Sequence, residues 1–286
     1  MKSIKILILL TVVSLVTCNC GKDNPDKNTP DEPDYSSLTP PVILGHRGMA
    51  KTYPENTLIA LNACVKDGMG FEFDVRTSKD GELVIMHDDN TARTTNGGSK
   101  RIRDLTLAEI KELDAGSWFS PVFAGEKVPT LEEVLSAVKE NQKGNIILAV
   151  EIKDVDAAGE AKLVNLLVKY NLLKQSFCFA QTDAASRRLK NLNASVKIGK
   201  QIGRNDLQKE ITEGLADVFM LGFLPTSNEV EMLRTARREI VINAGTDGQD
   251  PAPWRNHLLS GVDGIIVDYA AQFHNYVANL FAPKSQ

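Results

Sequence analysis

Side chains able to move protons or hold charge recur at the ends of apolar runs in this sequence. His46 and Arg47 close the run Val42-Ile43-Leu44-Gly45, and Gly48 follows them. Glu72 and Asp74 are two apart in Gly70–Val75, so on a strand both point to one face, and Phe71 and Phe73 to the other. Two such carboxylates repel each other unless a cation joins them; a salt-bridge network is the alternative, but Arg76 is the only cation nearby in sequence to build it. Glu151 closes the run Ile146–Glu151 and adds a third carboxylate. Three oxygen donors with no Cys or His cluster suit a hard divalent ion, Ca2+ or Mg2+. His87 closes Glu82–Met86, and an imidazole can give or take a proton near neutral pH. Arg47 offers a fork that matches phosphate, and Lys153 shares the face of Glu151. A plain partner for the carboxylates is the alternative reading of each of these cations. His46, taken alone, reads as a buried structural histidine beside a surface arginine.

What must position these groups is a set of parallel strands. Strand-like runs recur at Val42–Gly45, Gly70–Val75, Ile146–Glu151, Phe177–Ala180, Lys197–Gln201, Val218–Gly222, Ile240–Asn243 and Gly264–Val267. Amphipathic segments alternate with them at Asn56–Lys66, Ala157–Tyr170, Asp183–Asn191, Asp206–Glu213, Ser227–Arg237 and Pro253–Leu259. That alternation predicts the α/β class and a closed parallel sheet, the (β/α)8 TIM barrel, whose chemistry sits at the carboxyl-terminal ends of the strands. Ser78-Lys79-Asp80-Gly81 predicts a hairpin that brings Glu82–Met86 back antiparallel and sets His87 at the rim. Residues 88 to about 130 are too long for a plain connection and predict an insert over the mouth, with a helix near Leu107–Leu113.

The chain of 286 residues is 42% hydrophobic, enough for one barrel domain over 41–286. A net charge of -4 gives no polybasic surface and argues against nucleic-acid binding. Lys2 and Lys5 precede the apolar run Ile6–Val16, the layout of an export signal over 1–20. Leu15-Val16-Thr17-Cys18 is similar to a bacterial lipoprotein processing box, so Cys18 is expected to carry a lipid anchor at the membrane, with the exported protein periplasmic or at the cell surface. Residues 21–40 are poor in large apolar side chains and are expected to be a disordered tether. Cys64 and Cys178 read as small buried hydrophobes.

The ordered set His46-Arg47-Gly48, Pro54-Glu55-Asn56-Thr57, Glu72/Asp74, His87-Asp88 and Glu151/Lys153 resembles the glycerophosphodiester phosphodiesterase family. The stretch Leu105–Leu135 and the late run Gly261–Asp268 are also similar to it. The resemblance implies metal-dependent hydrolysis of a small glycerophosphodiester to sn-glycerol 3-phosphate and an alcohol. It assigns His46 and His87 as the acid–base pair, and Glu72, Asp74 and Glu151 as ligands of one divalent cation. It leaves Arg47 and Lys153 to hold phosphate, and Glu55 and Asn56, at the start of the first helix, to support His46 or the metal, although an Asn there reads equally as a helix cap. It further implies attack on phosphorus by the substrate glycerol's own hydroxyl, giving a cyclic phosphate that water opens. Cleavage of intact phospholipids, or binding without catalysis, are the alternatives. The family often carries a tryptophan in the strand matching Ile240–Asn243; here it is missing, although Asn243 matches, and Phe179-Ala180-Gln181 also departs from the pattern. Trp118, Phe119 and Phe223 could replace the lost contact, but each reads first as core.

Overall fold

The computed structural model describes residues 35, 38–144, 146–245 and 251–281. The chain divides into two units, Met1–Tyr35 and Ser36–Gln286. The expected export signal with Cys18, and all of the expected tether except residues 35 and 38–40, lie outside the described residues.

Among the described residues, eight parallel strands close on themselves. They are β1 (Val42–Gly45), β2 (Gly70–Thr77), β4 (Leu148–Ile152), β5 (Ser176–Ala180), β6 (Lys197–Ile202), β7 (Val218–Leu221), β8 (Glu239–Gly245) and β9 (Gly264–Val267). β1 pairs with both β2 and β9, which completes the ring. β3 (Leu83–Ile85) pairs antiparallel with the end of β2, outside the ring, as the Asp80-Gly81 signal predicts. The helices are α1 (Leu58–Lys66), α2 (Leu107–Glu112), α3 (Leu131–Asn141), α4 (Ala157–Lys169), α5 (Asp183–Leu192), α6 (Leu207–Glu213), α7 (Ser227–Thr235), α8 (Pro251–Leu259) and α9 (Ala270–Leu280). Among the described residues no helix is long and apolar enough to cross a membrane.

Strand parity sorts the side chains into two cores. Leu44, Ala149, Phe177, Phe179, Val218, Met220, Val241 and Ile266 fill the barrel interior. Phe71, Phe73, Val150, Cys178 and Ile265 join the larger cluster between sheet and helices. Phe71 and Phe73 are fully buried there, each contributing about 1.5–3 kcal/mol. Cys64 and Cys178 are buried free thiols, and burial pushes Cys178 up to about 12.

The first helix begins later than the sequence suggests. Asn56 lies in the left-handed region (φ 57°) and so stands outside the helix; Thr57 is the cap, its side chain accepting from the Ala60 N–H. α7 ends at Thr235 rather than Arg237, which is itself left-handed (φ 56°). The strand expected from Ile146 begins at Leu148, and the helix expected from Pro253 begins at Pro251.

Candidate active site

The turn after β1 is fixed by its glycines. Gly48 has φ +81°, and a Cβ there would stand 2.8 Å from the Ala60 backbone of α1. Arg47 between them is also left-handed (φ 54°), a conformation that costs a non-glycine residue on the order of 1–3 kcal/mol. The turn is held from outside. The Arg47 N–H donates to Glu72 Oε2 at 3.0 Å, and its carbonyl accepts from the Asn56 N–H at 3.1 Å.

His46 is thereby aimed across the mouth of the barrel. Its Nδ1 lies 2.6 Å from Asp268 Oδ1, just past the end of β9, and its Nε2 lies 3.8 Å from Glu72 Oε2. A proton on Nδ1 donated to Asp268 leaves Nε2 free to exchange one with a substrate. His87 has the same plan, with Nδ1 2.8 Å from Asp88 Oδ1. Its backbone carbonyl accepts from Nε of Arg76 at 3.1 Å. Of the other histidines, His257 lies in α8 and His274 in α9.

Glu72 and Asp74 on β2 and Glu151 on β4 come together, with one carboxylate oxygen from each lying within 4.8 Å of the others. β2 and β4 are hydrogen-bonded neighbours, and Asp74 is in register with Glu151. Glu72 and Asp74 are almost wholly buried, at 2% and 0% exposure. Burial, with the charges of Asp74 and Glu151 beside it, pushes the Glu72 carboxyl well above its usual range. Glu72 Oε1 and Asp74 Oδ1 have no hydrogen-bond partner. Buried carboxylate oxygens without donors are rare, and two of them meeting a third carboxylate, Glu151, make the oxygen set a hard divalent cation takes. The residues therefore fit a metal centre.

The cations around this cluster are Lys153 and Arg47, the carboxylate partners that the sequence offered as an alternative to phosphate binding. Arg76 turns to the His87 carbonyl instead. Lys153 Nζ lies 2.5 Å from Glu151 Oε1 and 3.3 Å from Asp74 Oδ1, and Arg47 Nε lies 3.6 Å from Asp74 Oδ2. Asn56 supports the cluster directly: its Nδ2–H donates to Asp74 Oδ2 at 2.8 Å, and its Oδ1 accepts from the Asp74 N–H at 3.4 Å. Glu55 does not touch the carboxylates; its Oε1 accepts from Arg47 Nη1 at 2.9 Å. Asp268 was not singled out by sequence reasoning. The available signal was parity, since Gly264, Ile266 and Asp268 alternate onto the face that Ile266 turns into the barrel.

The insert packs at the same end. Thr94, Ala115 and Val128 line one small cavity together with Glu55, Asn56 and His87. Across the mouth, the ends of β6, β7 and β8 frame a cleft of about 450 Å³ lined by Gln201, Ile202, Gly203, Met220, Gly222 and Asn243. Phe119 and Phe223 are part-buried, whereas Trp118, expected in the core, is 37% exposed. Its indole N–H donates to the Ala115 carbonyl at 2.9 Å.

Paired imidazoles, each backed by a carboxylate, beside an acidic cluster at the carboxyl-terminal end of a (β/α)8 sheet define a barrel enzyme. Its family follows from comparison. The chain belongs to the glycerophosphoryl diester phosphodiesterase family, whose model matches residues 46–272. A glycerophosphodiester phosphodiesterase of Caldanaerobacter subterraneus is 36% identical over 162 residues, which are 55% of this chain and 65% of the relative. The crystal structure of a glycerophosphodiester phosphodiesterase from Agrobacterium tumefaciens is similar with a TM-score of 0.72 at 28% identity, covering 82% of this chain and 99% of that one. A phosphodiesterase of Oleispira antarctica, solved with the product sn-glycerol-3-phosphate, has the same fold, with a TM-score of 0.70 at 24% identity over 83% of this chain and 97% of that one.

Proposed function

We propose that this protein hydrolyses glycerophosphodiesters to sn-glycerol 3-phosphate and an alcohol. The observation that carries the reading is the meeting of Glu72, Asp74 and Glu151 within 4.8 Å, with His46 Nε2 3.8 Å from Glu72. The three carboxylates would hold one Ca2+ or Mg2+. Such an ion, when bound, neutralises phosphate charge and lowers the barrier to attack on phosphorus. His46 and His87 exchange the protons, one taking a proton from the attacking hydroxyl and the other giving one to the leaving alkoxide. Asp268 and Asp88 hold the Nδ1 protons, so each ring offers Nε2 to the reaction. Arg47 and Lys153 add positive charge where the phosphate would lie. The cleft between Gln201 and Asn243 takes the alcohol portion. The family relationship and the product complex of the Oleispira antarctica protein support the substrate class.

The test is an assay of glycerophosphoethanolamine and glycerophosphocholine, with and without chelator. Turnover that chelator abolishes, and that His46→Ala or His87→Ala removes, is the expected result. Full activity in both histidine variants, or no effect of chelator, would overturn the assignment.

A second reading is favoured by one observation. Trp118 (37% exposed) and Val122 (78%) lie exposed on the insert, an apolar rim of the kind that cleavage of intact phospholipid would need. Comparing a phospholipid with its deacylated form decides between the two. We also propose that the protein acts outside the cytoplasmic membrane, held by a lipid on Cys18. Cys18→Ala should then release it from the membrane fraction.

A further inference from the structure

We propose that Arg93 is a positioning residue for this reaction: one guanidinium, carried by the insert, fixes the His87 imidazole through Asp88 and the Arg47 guanidinium through Glu55. The proposal rests on the phosphodiesterase reading, because it gives Arg93 a role only through the residues assigned above.

The geometry is a continuous chain of charged hydrogen bonds. Arg93 Nε donates to Asp88 Oδ2 at 2.8 Å, and Nη2 donates to Asp88 Oδ1 at 2.9 Å. Nη1 donates to Glu55 Oε2 at 2.7 Å, and Nη2 also donates to Glu55 Oε1 at 2.8 Å. Both carboxylates are thus gripped at both oxygens, the arrangement in which guanidinium pairs are strongest. Nη2 faces the two oxygens that carry the functional contacts: Asp88 Oδ1 is the partner of His87 Nδ1, and Glu55 Oε1 accepts from Arg47 Nη1. Proton transfer and phosphate binding are therefore joined through one nitrogen. All three nitrogens of the fork are used, which a single ammonium cannot reproduce.

Charge follows the same chain. The hydrogen bond from Arg93, then that from His87, holds the Asp88 carboxyl well below its usual range against the effect of burial. Burial alone would push Glu55 up, but Arg93 and Arg47 outweigh it and keep it low. The bonds to Glu55 and then to Asp88 raise Arg93 itself.

The loop that delivers Arg93 is tied down on both sides. Thr91, Thr94 and Thr95 are buried. The Thr95 hydroxyl donates to the Thr91 carbonyl at 2.6 Å, the Thr91 N–H donates to the Lys100 carbonyl at 2.9 Å, and the Asn96 N–H donates to the Asp114 carbonyl at 3.1 Å. The Arg93 side chain is nonetheless 43% exposed, so it is not a pillar of the fold. Its value lies in placement, where a shift of about 1 Å in a reacting group can cost on the order of 100-fold in rate.

The experiment compares the full-length protein with Arg93→Ala and Arg93→Lys on glycerophosphoethanolamine, measuring kcat and KM separately, and melting temperature alongside. Arg93→Ala should lower kcat/KM by about 10- to 100-fold, with kcat falling and KM rising together and little change in melting. Arg93→Lys should recover only part of the loss. Guanidinium chloride added to Arg93→Ala should raise its turnover through the solvent-open slot between Glu55 and Asp88, while sodium chloride at equal strength should not. A merely structural role would not respond to the added ion. The ring 15N signals of His87, read without substrate, should also move in Arg93→Ala, which tests the positioning apart from turnover. Wild-type kcat and KM in Arg93→Ala, full activity in Arg93→Lys, or a loss that guanidinium does not relieve would overturn the proposal. A wild-type protein that hydrolyses no glycerophosphodiester would instead sink the functional reading; an unmoved His87 signal would sink this one.

Discussion

Asp268 accepts from His46 Nδ1 at 2.6 Å, while Lys51 Nζ stands 3.5 Å from its other oxygen. Burial pushes this carboxyl up, but the bond from His46 and the charges of His46 and Lys51 outweigh it and hold it below the usual range. It therefore stays ionised at neutral pH and fixes the His46 tautomer. In Asp268→Asn the amide keeps the shape but carries no charge, and its N–H favours the wrong tautomer. A fall in kcat of about 100-fold or more at pH 7, with melting nearly unchanged, is expected from steady-state assays and thermal denaturation. Wild-type kcat in that variant would show that His46 needs no carboxylate behind it. At this scale the sequence was legible where chemistry was local. Glu72, Asp74 and Glu151 meet as their strand positions suggest, but the His46–Asp268 pair joins residues 222 apart in the chain. No local spacing could announce that pair; only β9 lying beside β1 makes it. The cation nearest in sequence, Arg76, bonds to the His87 carbonyl, while Lys153, just past the end of the neighbouring strand β4, reaches Asp74.

Elements were read more securely than their ends. The run Val42–Gly45 is a strand as expected, and so is Gly264–Val267, because short β-branched runs bounded by glycines leave little alternative. The start of α1 was misjudged because Asn56 gives up the helix to hold Asp74 with both ends of its amide. That is a local rule broken at a functional position, where tertiary contacts repay the strain. The placement of the insert at the mouth was foreseen, but nothing in its own sequence pointed Arg93 at Glu55 and Asp88. The turn between β1 and α1 gives the sharpest test of these couplings. Gly48→Ala would force a side chain into φ +81° and to 2.8 Å from the Ala60 backbone, so the turn must move off α1. Destabilisation of about 2 kcal/mol or more is expected, a drop of roughly 4–8 °C in melting. Catalytic loss should accompany it, because His46 and Arg47 ride on the same turn. An unchanged melting temperature and kcat would show that the turn is not held as tightly as its contacts indicate.

Taken as a whole, the barrel carries a cost at its mouth that its core must cover. Glu72 is buried beside Asp74 and Glu151, and its carboxyl is pushed well above the ordinary 4.5. Between that ordinary value and the raised one, the folded protein binds more protons than the unfolded chain. Stability without a divalent ion should therefore fall as pH rises through this window. A cation held by Glu72, Asp74 and Glu151 reverses the sign of the local problem, because it needs those carboxylates ionised and displaces their protons. The melting shift caused by Ca2+ or Mg2+ should accordingly grow with pH. At about 100 times its Kd the ion adds about 2.7 kcal/mol, on the order of 5–10 °C for a domain of this size. Thermal denaturation across pH, with chelator and with each metal, measures this directly. Glu72→Gln should flatten the pH dependence, since an amide does not titrate, and should also weaken the response to metal. A melting temperature that no divalent ion raises at alkaline pH would mean that Lys153 and Arg47, not a metal, neutralise the three acids.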